Sequence, residues 1–217
     1  MRATQLDLLI HSTHEAGWKV GGIGAVLDGL LSQPAYSRSV KRTLLVGPYD
    51  QHDPLERERL FAPRNGLSVR YSSAGKIDKV RPTLARALRQ IELAYHVHVF
   101  YGTRKFGAYE HEVLLVDPTV VDLQSVAEFK YHLWQQYGIS SYDYDWSSEY
   151  DWYIRAAAPA FAALQAIAGT RKKLRAALIA HDWLGLPLAF RARQQAPAAY
   201  RLVYYAHEVA AARELVE

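Results

Sequence analysis

Cysteine is absent from the 217 residues. Disulfides and thiolate metal sites are therefore excluded, and a reducing cytoplasm is the expected compartment. Also missing is any apolar run near the ~18 residues that a membrane span needs. Met1 to Gln5 lead straight into a strand-like segment too short for a secretory h-region, so no signal peptide is expected. Neither sign of charge dominates: the formal net charge is +4, with a sequence pI near 9.2. The basic residues are scattered apart from Arg171-Lys172-Lys173 with Arg175. That group reads as a solvated helix end, with an anionic partner as the alternative, and nucleic acid is not needed to explain it. No internal repeat is visible, and no shift in composition marks a linker. What remains is half hydrophobic and only 22% charged. Those proportions describe a globular chain of one domain with a sizeable core.

The stretch around which the chain is organised is Leu6 to Gly29, LDLLIHSTHEAGWKVGGIGAVLDG. Leu6 to Ile10 read as a buried strand, His11 to Lys19 as a polar loop, and Val20 onward as a glycine cluster running into a helix. The N–H groups of a helix's first turn lack intrahelical partners and lie at the positive end of its dipole, so they attract anions. Glycines allow close approach to the backbone, and Lys19 adds a cation at the mouth. A phosphate or diphosphate is the simplest ligand. The alternative is a tight turn that lets the helix pack close to a sheet. The spacing matches neither G-x-x-x-x-G-K-[ST] nor G-x-G-x-x-G, because Lys19 precedes Gly21, Gly22 and Gly24.

The rest of the chain alternates. Strands are expected at Lys41–Gly47, Leu67–Tyr71, His96–Tyr101, Glu112–Asp117, Ala176–His181 and Tyr200–Ala206. Helices are expected at Thr83–Tyr95, Leu123–Tyr137, Ile154–Ala168 and Leu184–Gln195, with another beginning at Glu208. Tyr49 to Arg64 read as a loop with a short helical piece. This order predicts an α/β fold: a Rossmann-like, mainly parallel sheet with helices on both faces. Ligands of such sheets bind beyond the carboxyl ends of the strands. The loop after the first strand, His181-Asp182 and His207-Glu208 all fall at such ends.

His207 is a candidate hydrogen-bond partner for a sugar hydroxyl, with a capping or core-edge role as the alternative. Asp182 has two readings, accepting from sugar hydroxyls and N-capping the helix near Trp183, and both can hold. His181 reads as a buried polar packing residue. The run Ile139 to Tyr153 alternates aromatics and acids, as a sugar-binding surface would. Tyr142 and Trp146 stand for that surface; the alternative is a helix-capping loop with its aromatics packed inward. His96 and His98, on one strand face, invite a metal reading, but no third ligand is apparent, and no metal or cofactor is expected.

Five segments in register resemble the glycogen and starch synthases, and lean towards the animal and fungal branch. Lys19-Val20-Gly21-Gly22-Ile23 is similar to their K-x-G-G-[IL] signature. Leu44 to Tyr49 resembles "LVGPY". Phe129-Lys130, Leu133-Trp134 and Tyr137-Gly138-Ile139 resemble "K..LW...GI". Ala180 to Leu184 resembles "HDW/HEW", and Tyr204 to Glu208 with Arg213 resembles "T.H....R". The resemblance implies one half of a glycosyltransferase-B fold. It implies retaining transfer of glucose from UDP-glucose or ADP-glucose to an α-1,4-glucan, with no metal. In that reading Lys19, Gly21 and Gly22 contact the donor diphosphate. His207 and Asp182 contact the transferred glucose, and Glu15 touches the acceptor. It further implies that residues 1–217 form an N-terminal, acceptor-side domain, incomplete at its C-terminus, with the donor domain supplied by a second polypeptide or a longer chain. Alone it is expected to be nearly inactive. Tyr204-Tyr205-Ala206 departs from the family's hydroxyl-bearing or small residues before the histidine. A non-catalytic glucan-binding or regulatory module is the alternative, and a sucrose- or trehalose-type synthase a further one.

Overall fold

A computed structural model describes residues 5–169 and 174–207. The basic group 171–173, and Glu208 and Arg213 with the expected last helix, lie outside the described residues.

The elements, in chain order, are β1 (Leu8–Ser12), α1 (Gly22–Leu31), α2 (Pro34–Ser39), β2 (Thr43–Pro48), α3 (Pro54–Phe61), β3 (Ser68–Ser72), β4 (Ile77–Asp78), α4 (Pro82–Tyr95), β5 (His98–Phe106), β6 (Tyr109–Asp117), α5 (Leu123–Tyr137), α6 (Ser148–Ala168), β7 (Ala176–His181), α7 (Asp182–Gln195) and β8 (Tyr200–Tyr205). The eight strands form one sheet in the order β4-β3-β5-β6-β2-β1-β7-β8. From β6 to β8 every pairing is parallel, while β4, β3, β5 and β6 pair antiparallel. The fold is therefore Rossmann-like α/β, with an antiparallel extension at one edge.

Strand periodicity sorts the core into two layers. Leu8, Ile10, Leu44 and Val46 face a layer made by α4, α5, α6 and α7, with Phe129 and Phe161 at its centre. Leu9 and Leu45 face the opposite layer, made by α1, α2 and α3. Central strands β1 and β2 are buried along their whole length, as strands covered on both faces must be.

Local chemistry sets the helix ends. Asp122 accepts from the Gln124 and Ser125 N–H groups to cap α5, and Gly138 closes that helix in the left-handed region. Ser147 caps α6 and acidic Glu149 and Asp151 sit in its first turn. These signals start α6 six residues before the expected Ile154, and the helix continues through Pro159. Two elements lay outside the expectation, short α2 and the two-residue β4. His96 is the left-handed C-cap of α4, so it shares no strand face with His98, which pairs with Ser73 instead. Arg175 precedes β7 and its Nε lies 3.4 Å from Asp7 Oδ2, so it ends no helix. No described helix is long and apolar enough to cross a membrane.

Candidate functional site

The sheet order places β7 between β1 and β8, and each of these strands brings a histidine to its carboxyl end. His11 lies in β1, His181 ends β7, and His207 follows β8. Adjacent strands are ~4.8 Å apart, so the three rings form a row. His11 Nδ1 is 2.8 Å from His181 Nε2, and His181 Nδ1 is 2.7 Å from His207 Nε2. The row continues inward: His11 Nε2 is 3.2 Å from the Tyr36 hydroxyl, which is 2.8 Å from Thr43 Oγ1.

Every group in this row can both donate and accept, so neutral tautomers satisfy it in two ways. In one, each ring donates towards His207 and leaves the His207 proton on Nδ1. In the other, each donates inward and leaves His207 Nδ1 as an acceptor. The inner rings are held neutral. Burial pulls His11 down to about 3, aided by repulsion from His181 and His111. Burial and repulsion from His207 pull His181 down to about 4, against the attraction of Asp182.

Asp182 grips the same residue by its backbone. Its Oδ1 accepts from the His207 N–H at 2.6 Å, and it is the first residue of α7, directly after His181 in the N-cap position. Asp182 sits at φ 51, in the left-handed region that non-glycine residues rarely occupy. The pair His181-Asp182 thus fixes His207 by ring and by main chain. α7 is seated closely behind it: a Cβ on Gly185 would lie 2.5 Å from Ser12 O and 2.9 Å from Ala180 Cα.

The loop after β1 is also internally bonded. Glu15 is only 1% exposed. Its Oε2 accepts from the Val20 N–H and, at 2.7 Å, from the Gly21 N–H. Burial pushes its carboxyl up, but the N–H groups of Val20, Gly21 and Gly24 and the nearby His14 outweigh it, and its pKa ends below the ordinary value. The protein's own carboxylate therefore fills the start of α1, where the glycine cluster had pointed to a diphosphate. Gly24 makes room for it, since a Cβ there would lie 2.2 Å from Glu15 Oε2. Gly22 opens α1 with nothing near its Cα side. Lys19 is half-exposed and pairs with Asp28 at 3.4 Å.

The aromatic and acidic run divides between the two roles expected of it. Tyr142 (52% exposed) and Trp146 (83% exposed) face solvent on and beside a single 3-10 turn, Ser141–Tyr144. Buried Lys130 anchors that turn through Asp145 and lies 5.5 Å from the Tyr142 ring. Tyr150 turns inward, bonds Ser141 and stacks 6.4 Å from Trp183, next to Asp182. Tyr153 lies over the ends of β1 and β2 beside Ser12, Gly47 and Leu184. Burial, then Glu149, Glu56 and Glu15, push its phenol up.

The geometry brings together His207, Asp182 and His181, and keeps Glu15, Lys19 and Gly21 in a neighbouring loop with its own bonding. The sequence reading singles out none of His11, Tyr36, Thr43 and Tyr153 as a site residue, although Tyr153 closes the aromatic and acidic run. Only His11 carried a local signal, a polar side chain directly after an apolar strand. Among the described residues no group of three or more His, Cys, Asp or Glu side chains is arranged to hold a metal ion. Compared with known proteins, the chain matches no family model and no curated protein.

Proposed function

We propose that this domain is the acceptor-side half of a retaining glucosyltransferase similar to the glycogen and starch synthases. The observation that supports it is the grip of His181-Asp182 on His207 at the carboxyl ends of β7 and β8. Three of the segments that carry the resemblance thus follow the carboxyl ends of the adjacent strands β1, β7 and β8. In this reading UDP-glucose or ADP-glucose donates glucose to an α-1,4-glucan. The bond from the anomeric carbon to the diphosphate oxygen breaks, a bond to the acceptor 4-hydroxyl forms on the same face, and the hydroxyl proton passes to the diphosphate. His207 meets a hydroxyl of the transferred glucose through Nδ1, the nitrogen that His181 does not hold. A hydroxyl both donates and accepts, so either proton pattern of the row serves it. Lys19 stabilises the departing charge. Glu15, closed on the start of α1, would be displaced for Gly21 and Gly22 to meet a diphosphate. The donor nucleotide would be held by a second domain or a partner polypeptide.

A glucan-binding module without transferase activity is the second reading. The exposed Tyr142, Tyr144, Trp146 and Trp134 favour it, since aromatic faces stack on sugar C–H groups.

Glucose transfer to glycogen from each nucleotide-sugar separates the two. It is measured for this chain alone and mixed with the product of the neighbouring coding region, beside retardation in a glycogen-containing gel. Activity in the mixture that is lost in Lys19→Ala and His207→Ala supports the transferase. Retardation without activity in any mixture, lost in Trp146→Ala, supports the module. Neither activity nor retardation refutes both.

A further inference from the structure

A second polar region, with lining residues of its own, lies on the same α1–α3 side of the sheet as the histidine row. A cleft of about 650 Å³ runs along α1 from Lys19 at its mouth to Gly107 at the tip of the β5–β6 hairpin. Five cationic side chains line it: Lys19, Arg59, Arg64, Arg104 and Lys105. Against them stands, among the described residues, one lining carboxylate, Asp28. That carboxylate is already shared, 3.4 Å from Lys19 Nζ and 3.6 Å from Arg104 Nη2.

Arg104 is the unusual member. It is 4% exposed, and its carboxylate partner among the described residues is the shared Asp28, at 3.6 Å. Its Nη1 donates to the Glu15 and Ala16 carbonyls at 3.3 and 3.5 Å, and its guanidinium lies 4.6 Å from the centre of the Phe106 ring. Its Nε, and the indole N–H of buried Trp18 in the same wall, find no acceptor among the described residues. A buried cation without close pairing is costly. Burial pulls the Arg104 pKa below its ordinary value, and Asp28 with Glu15 offsets this only in part. All five cations are donors, so none can supply what another lacks.

We propose that this cleft is a binding site for a compact, multiply charged oxyanion, the phosphate or diphosphate group of a small ligand, seated against Arg104 with Arg64 and Lys105 at its rim. Guanidinium forks match phosphate oxygens in pairs, and a multiply charged anion offsets part of the positive charge that Asp28 leaves unbalanced. Lys19, at the mouth, is shared with the transfer reaction proposed above, but Arg64, Arg104 and Lys105, which carry this assignment, take no part in it. Arg64 and Lys105 are exposed, so they can be changed without disturbing the core.

Titration calorimetry of the full chain with inorganic pyrophosphate, and with inorganic phosphate, tests the assignment, using sodium chloride at matched ionic strength as control. The expected result is saturable binding of one pyrophosphate per chain. It weakens by about tenfold or more in Arg64→Gln/Lys105→Gln and is unchanged in His207→Ala. Phosphate binding as tightly as pyrophosphate identifies a monophosphate group; tighter pyrophosphate binding identifies a diphosphate. Titration heats no larger than those of chloride, or binding that survives the double variant, overturn the proposal. Circular dichroism of the double variant verifies that it is folded.

Discussion

The histidine row and the cationic cleft bury comparable polar groups with opposite outcomes. In the row, His11, His181, His207, Tyr36 and Thr43 satisfy one another at 2.7 to 3.2 Å. In the cleft, the Nε of Arg104 and the indole N–H of Trp18 have no acceptor among the described residues. The difference is chemical. Imidazole and hydroxyl groups both donate and accept, so neighbouring strands can dispose of them in pairs. Guanidinium and ammonium groups only donate, so gathering five of them creates a need that an external acceptor meets. The inner members of the row pair with one another and hold the fold, and its outer end, His207 Nδ1, is the part proposed to meet a ligand; the cleft offers donors that lack acceptors among the described residues.

The comparison can be broken from the row's side first. Gly185→Ala drives a Cβ into Ser12 O and Ala180 Cα, both backbone. It should cost roughly 2–4 kcal/mol in urea unfolding, because α7 must shift and carry Asp182 with it. Pyrophosphate binding per folded molecule should be unaffected; equal loss on both sides would mean that the two regions are not independent. His181→Ala removes the middle ring and leaves His11 and His207 facing a void. A loss of about 2–3 kcal/mol is expected by the same measurement, and a loss below about 0.5 kcal/mol would deny that the row is a closed network.

Acid sharpens the contrast. The folded pKa values of His11 and His181, about 3 and about 4, lie below the ordinary 6.5. The unfolded chain therefore binds more protons between them, and stability falls as pH drops below about 6.5. The slope should be on the order of 1 kcal/mol per pH unit for each ring, until the folded rings titrate near pH 4 and 3. Urea unfolding at pH 7, 6 and 5 checks this, and His11→Gln should flatten the slope. Glu15 acts at lower pH with the same sign, since its depressed pKa makes its contribution vanish as pH falls through the folded value. The smallest effect belongs to the cleft. Arg64→Gln/Lys105→Gln should change stability by no more than about 0.5 kcal/mol, although it removes the anion site. A loss as large as that of His181→Ala would show that the cations hold the fold instead.

Much of the architecture was legible because its signals are local. Apolar runs at Leu44–Val46 and Ala176–Ala180 need no partner to be read. Helix α2 was missed because its six residues, Pro34 to Ser39, carry a single buried side chain and hence no periodicity. The start of α6 was missed because aromatic and acidic residues in its first turn resemble a loop when their packing is unseen. His96 was misplaced by apparent alternation that begins one residue beyond a left-handed helix cap. At the site, the sequence positioned Asp182 and His207 at strand ends but did not reveal that one holds the other. The glycine cluster showed that something must approach the start of α1; it did not show that Glu15 is already there.

By itself, then, the sequence determined an α/β chain without disulfides, its strand and helix order, and which strand ends carry polar residues. Those properties follow from the periodicity of apolar side chains and from capping groups within a few residues of each other. Only the tertiary structure decided that β7 enters between β1 and β8, and so which histidines touch. It alone decided that Arg104 from a distant hairpin lines one cleft with Lys19 and Arg64. Strand order and cleft walls depend on contacts between residues up to 170 positions apart, for which no local pattern exists.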